Sequence, residues 1–295
     1  MAPTTNSPSI PRAHEIRRVQ LRSRRMVTGG LLGQYRSAFR GTGLIYSDIR
    51  EYQPGDDVKH IHWKATARTG TVYVKSYEED RQLHVLLAVD VSASLRAPIH
   101  QAGHGKALEF CSLVSTLTQR GNDLLGACLF AKEVMVFLPP KSGMARHHQI
   151  LTALSAQREA PKATDLRPAL SHMLATLRRP AIIFLVSDFF CPPFDRDLRA
   201  LAHRHDVVLV QIDHAPTALL SVGLASFTDA ETGENILVDT GNARVKKAFE
   251  KELLTRQSSL TAVARECGVD LIRITDTALH PLATLMRERA NRSAR

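Results

Sequence analysis

Asp90, Ser92 and Ser94 stand at alternate positions where the run LHVLLAVDVSAS, Leu83 to Ser94, leaves its apolar part. One carboxylate and two hydroxyls on a tight loop offer hard oxygen ligands, suited to Mg²⁺ or Mn²⁺ rather than to a soft metal. Asp and Ser also turn a chain and cap the helix that follows, so D-x-S-x-S alone is equally compatible with a structural loop. Two later apolar runs end in a carboxylate as well: Ala181 to Val186 leads into Ser187-Asp188, and Val207 to Ile212 into Asp213.

These side chains need elements that bring them to one place. Seven of the first nine residues from Leu83 are apolar, and such short, nearly continuous runs read as strands buried on both faces of a mostly parallel sheet. Ligands of open α/β sheets bind beyond the carboxyl ends of the strands. Helical patterns alternate with the runs: about Gly105 to Arg120, Arg146 to Gln157, a segment to about Arg178 with Thr164 or Asp165 as N-cap, Asp195 to His205, Ala243 to Cys267, and a last helix from Leu279. Leu124 to Phe130 and Val134 to Leu138 read as a strand pair ended by Pro139-Pro140, and Ile236 to Val238 and Val269 to Ile274 as further strands. Strand and helix alternation of this kind implies right-handed crossovers and a doubly wound, mostly parallel α/β sheet with helices on both faces. If the strands ending at Asp90 and Asp188 are neighbours, both carboxylates meet the Ser92/Ser94 loop, and Thr164 supplies a third hydroxyl. A metal held by so few carboxylates is under-neutralised and leaves room for an acid from a partner.

Composition narrows the class. At 295 residues with 44% hydrophobic and 23% charged residues, the chain is that of a soluble globular protein with a sizeable core. No apolar run is long enough to span a bilayer and the N-terminus has no signal-peptide core, so the expected location is the cytoplasm, with recruitment to the inner membrane surface as an option. Cys111, Cys128, Cys191 and Cys267 are widely spaced and suggest neither a disulfide framework nor a zinc site. Residues 1–40 hold eight Arg against Glu15 alone, and residues 281–295 four Arg against Glu288, which together account for the whole net charge of +10. A near-neutral body argues against a nucleic-acid-binding core and leaves two basic arms that fit either an acidic partner or plain solvation.

Residues 1–12 read as a disordered proline-bearing tail. Residues 13–40 read as a basic helix followed by a hinge at Gly29, Gly30 and Gly33. Between about Gly41 and Glu79 short β-prone pieces surround the turn Pro54-Gly55 and the only tryptophan, Trp63. Arg50, Asp56, Asp57 and Trp63 are candidates for a partner-binding surface. The alternative is an Arg50–Asp57 ion pair fixing the turn while Trp63 packs as core, and core is the expectation for Trp63. His60 and His62 share one side of a strand, where exposure is expected over metal binding.

The set Asp90, Ser92, Ser94, then Thr164, then Asp188 resembles the metal-ion-dependent adhesion site of von Willebrand factor A domains. More specifically, GLIYSDIREYQPGDDVKHIHWKATARTGTVYVKSYEED followed by LLAVDVSAS, and later ATDL, LVSDF and TDAETGE, resembles the bacterial domain of unknown function 58 family over roughly residues 20–290. The resemblance implies a von Willebrand A-like domain at 81–290 and a family-specific β-rich extension at 41–80; from its charge, 291–295 reads as a short basic tail. It also implies Ser92, Ser94 and Thr164 as direct metal ligands, with Asp90 and Asp188 acting through water and hydrogen bonds. A MoxR-type AAA+ ATPase is the implied partner, in assembly or maturation of other proteins. Ile45 and His62 depart from the family, which usually has an acidic residue and an aspartate there.

The function expected is a non-enzymatic protein-interaction module that uses one Mg²⁺ or Mn²⁺ to capture a client offering an Asp or Glu. A Mg-dependent phosphohydrolase with Asp90 as nucleophile is a different class; that chemistry wants an acid two residues on, where Ser92 stands. Nucleic-acid binding through the basic termini is a third class, and nucleic acid is not the expected partner.

Overall fold

The computed structural model describes residues 10–39, 49–53, 61, 63–75, 82–96, 101–156, 163–213, 223–228 and 235–293. Six strands form the main sheet: β3 (His84–Asp90), β4 (Leu124–Phe130), β5 (Val134–Lys141), β6 (Ile182–Ser187), β7 (Asp206–Ile212) and β10 (Asp270–Ile274). Their order is β10-β7-β6-β3-β4-β5, parallel throughout except for β5, which lies antiparallel at one edge. The chain starts in the middle at β3, winds outward through β4 and β5, then returns to β6 on the other side. That reversal is the doubly wound switch point, with its crevice at the carboxyl ends of β3 and β6.

Side-chain alternation along β3 divides the core into two layers. Val85, Leu87 and Val89 point to the layer that holds α4 (Gln101–Gly121), α5 (Met144–Ala156) and α9 (Leu279–Ser293). Leu86 and Ala88 point to the other, which holds α6 (Leu166–Thr176), α7 (Asp195–Ala202) and α8 (Ala243–Cys267). Leu86 and Leu87 are both fully buried, each contributing about 1.5–3 kcal/mol of transfer free energy. Caps fix the helix ends: Asp165 accepts from Arg167 N, Asn242 from Arg244 N, and Gly268 closes α8 at φ 67° with Val269 N donating to Ala264 O.

The expected hinge is a helix instead. α1 (Ile10–Met26) is followed by α2 (Gly29–Phe39), with Thr28 Oγ1 accepting from Leu31 N at 3.3 Å. Gly29, Gly30 and Gly33 lie on open ground, while Leu31, Tyr35, Ala38 and Phe39 bury the other face. Burial of that face outweighs the poor helix propensity of three glycines. Tyr35 donates to Asp123 Oδ2 at 3.0 Å, Phe39 packs edge-on against Phe184, and the Arg289 guanidinium covers the Phe39 ring.

Pro139 and Pro140 do not end β5, which runs through them to Lys141. An edge strand tolerates the missing N–H groups, and the register shifts between Leu125 and Ala127. Gly126 permits the close approach: a Cβ there would meet Leu138 O at 2.6 Å and Pro140 N at 2.8 Å. A hairpin of β8 (Leu224–Thr228) and β9 (Asn235–Asp239) adds a strand that the sequence pattern did not signal.

Arg40–Gln82 forms a compact unit of its own. Within it β1 (Ile49–Glu51) pairs antiparallel with β2 (Tyr73–Lys75), and α3 (Trp63–Thr69) joins through Thr66 Oγ1, which accepts from Tyr73 N. The expected β-rich character therefore comes with a short helix. Trp63, the first residue of α3, is 68% exposed and not core, and its helix neighbours Ala67, Arg68 and Thr69 are exposed too. Arg50 stands in β1 opposite Val74. Asp56, Asp57, His60, His62 and the Asp229 to Glu234 part of the later turn lie outside the described residues.

Candidate functional site

The register between β3 and β6 sets the site. Val89 pairs with Val186, so Asp90 and Ser187 end neighbouring strands at one height. Ser187 Oγ donates to Asp90 Oδ2 at 2.7 Å, and Ser92 N donates to Asp90 Oδ1 at 2.9 Å. Both carboxylate oxygens are thereby fixed, and the Ser92 bond folds the loop back over the strand end. Ser92 Oγ and Ser94 Oγ lie 2.9 Å apart, one donating to the other. Asp90 and Ser92 are buried, while Ser94 is half-buried.

Thr164 reaches the same edge from the opposite side of β3. Phe130 is the register partner of Asp90 on β4, and the next residue, Ala131, accepts from Asp165 N at 3.0 Å. The loop carrying Thr164 is thus tied one strand over from Asp90, where adjacent strands run about 4.8 Å apart. Because Asp165 caps α6, the Thr164 side chain is released from capping. Its hydroxyl is buried and has no hydrogen-bond partner, an uncommon state for a polar group shielded from water.

Asp188 follows Ser187 and is buried beside Asp90. Phe190 N donates to Asp188 Oδ1 and Phe189 N to Ser187 Oγ, both at 3.0 Å. Phe189 bridges them in the left-handed region at φ 60°, a conformation that disfavours a bulky residue and clusters at functional sites. Burial, and after it the Asp188 carboxylate, push the Asp90 pKa up to about 7 against the pull of the Ser92 and Ser187 hydrogen bonds.

A cleft opens next to Asp188, lined by Phe189, Phe190, Asp213, Arg256 and Leu260 among others. The Arg256 guanidinium lies 4.7 Å from the centre of the Phe190 ring.

The structure therefore gathers Asp90, Ser92, Ser94, Thr164 and Asp188 at one sheet edge. It adds Ser187, whose signal in the sequence is a serine directly before the aspartate at a strand end. Arg50 and Trp63 belong to the separate Arg40–Gln82 unit. Among the described residues no three His, Cys, Asp or Glu side chains form a metal-binding group, so any ion here would lean on alcohol oxygens. The donor set fits such an ion: the oxygens are hard, one hydroxyl is unpartnered, and an added cation would relieve the repulsion between the two carboxylates.

A family model described as protein of unknown function DUF58 matches residues 48–259. An uncharacterized protein of Mycobacterium tuberculosis (strain ATCC 25618 / H37Rv) is 29% identical over 269 residues, 89% of this chain and 84% of that protein. An uncharacterized protein of Mycobacterium bovis matches to the same extent. Among solved structures, a conserved hypothetical protein BatB from Bacteroides thetaiotaomicron aligns with a TM-score of 0.44 at 14% identity, over 71% of this chain and 99% of that one. A von Willebrand factor type A protein from Catenulispora acidiphila aligns with a TM-score of 0.40 at 11% identity, over 76% and 43% respectively.

Proposed function

The chain belongs to the DUF58 family, and from that premise we propose that it is a non-enzymatic protein-interaction module working through a metal-ion-dependent adhesion-type site. Ser92, Ser94 and Thr164 would hold one Mg²⁺ or Mn²⁺ directly, with Asp90 and Asp188 in support. Bound there, the ion supplies an electrophilic anchor for a carboxylate presented by another protein. Asp90 orients the loop by accepting from Ser92 N and Ser187 Oγ. Ser92 and Ser94 present their hydroxyls together.

The observation that carries this reading is the Thr164 hydroxyl, buried without a partner at the edge where Asp90 and Asp188 repel one another. The same geometry argues against a phosphoryl-accepting aspartate. Both oxygens of Asp90 are engaged, the group is only 3% exposed, and the residue two positions on is Ser92, which is not a general acid. A client offering an Asp or Glu, acted on together with a MoxR-type AAA+ ATPase, is the partnership proposed.

The test is capture by wild type, Asp90→Ala and Thr164→Val proteins, each with Mg²⁺ and with chelator. Capture of the ATPase or its client that needs metal and fails in both variants supports the reading. Capture unchanged in Asp90→Ala removes the site from the mechanism.

A further inference from the structure

From a surface remote in sequence from the Asp90 loop, we propose that the outer face of α1 docks on anionic phospholipid. α1 carries Arg12, Arg17, Arg18, Arg22, Arg24 and Arg25 against Glu15 alone. Its inner stripe, Ile16, Val19, Ser23 and Met26, packs toward the domain. Arg22 pairs with Glu109 of α4 at 3.8 Å, and the Arg120 guanidinium closes the C-terminal end by donating to Arg24 O and Val27 O. The helix is thus preformed on the fold.

Its outer stripe is different. Arg17, Arg18, Leu21, Arg24 and Arg25 recur at helical spacing and are all exposed. Arg17, Arg18 and Arg25 have no carboxylate within ion-pair distance among the described residues. Leu21, 49% exposed, stands in the middle of these cations, and Met144, 61% exposed, touches Arg24 through its sulfur at 3.8 Å. Arginines around projecting apolar side chains complement a surface that is negative outside and apolar just beneath. A phosphodiester chain would use the charges and leave Leu21 and Met144 idle, and α1 has no Phe, Tyr or Trp on which bases could stack.

The experiment is co-sedimentation of the full chain with phosphatidylcholine vesicles lacking or containing about 30% phosphatidylglycerol, at low and high salt. Wild type should bind only the anionic vesicles. The variant Arg17→Gln/Arg18→Gln/Arg25→Gln should bind on the order of 100-fold more weakly, since each cation near such a surface contributes about five-fold. Leu21→Gln should lose several-fold with its charge intact, whereas the charge-matched control Arg178→Gln/Arg179→Gln/Arg244→Gln should bind as wild type does. Circular dichroism checks that each variant folds. No binding to anionic vesicles, an equal loss in the control, or RNA binding that the triple variant abolishes while vesicles are ignored would each overturn the proposal.

Discussion

Ser187 donates its hydroxyl proton to Asp90 Oδ2 at 2.7 Å and accepts from Phe189 N at 3.0 Å, so one side chain joins the ends of β3 and β6 to the left-handed turn that aims Asp188. Both carboxylates of the site depend on it. Ser187→Ala leaves Phe189 N without its acceptor and Asp90 with one donor fewer, and should destabilise the fold by about 1–3 kcal/mol. Urea denaturation measures this. Ser187→Thr, which keeps the hydroxyl, should recover part of the loss.

The pKa of Asp90 gives the stability of the metal-free protein a definite pH dependence. The folded value is raised to about 7 from 3.8, so the folded chain binds this proton more tightly than the unfolded chain does. The stability linked to that proton is fully present below the unfolded pKa and is lost as pH rises through the folded one. Compared with Asp90→Asn, wild type without divalent ions should therefore lose stability between about pH 4 and pH 7. Thermal melts of the two proteins across this range check the sign. Parallel curves would contradict it.

Tyr35→Phe removes the donor to Asp123 Oδ2, whose other oxygen accepts from Leu83 N at the entry to β3. A lost hydrogen bond to a buried carboxylate should cost on the order of 2 kcal/mol. Amide exchange should accelerate at Leu83 and along α2 before the rest of the sheet.

Gly126→Ala brings a methyl group against Leu138 O and Pro140 N, both backbone atoms of β5. The edge strand has to move, and a loss of about 1–3 kcal/mol is expected in chemical denaturation. The Leu86 side chain of β3, whose Cδ1 would lie 2.9 Å from the new methyl, has to shift as well.

The central strands were legible in the sequence because both of their faces are buried. Leu83 to Val89 and Ala181 to Val186 needed no alternation to be recognised, and the aspartates that follow them marked the candidate edge. α2 was hidden because three glycines argue locally against a helix that Tyr35 and Phe39 hold from a distance. Trp63 misled for the opposite reason: its size suggests a core residue, yet its position opens a short exposed helix. The roles of Thr164 and Asp165 were indistinguishable until the cap geometry gave the helix to Asp165. Ser187 could be read as the end of a strand, but its bond to Asp90 depends on strand order.

The most direct measurement is titration of the protein with Mn²⁺ at pH 8, followed by calorimetry or electron paramagnetic resonance, for wild type and for Thr164→Val. The valine keeps the shape and removes only the partnerless hydroxyl, so the fold should be retained or slightly stabilised. Binding of one ion by wild type, weakened at least ten-fold in Thr164→Val and lost in Asp90→Ala, is the predicted result. Equal Mn²⁺ binding in all three proteins, or none in wild type even with a carboxylate ligand present, would contradict a metal held at this edge.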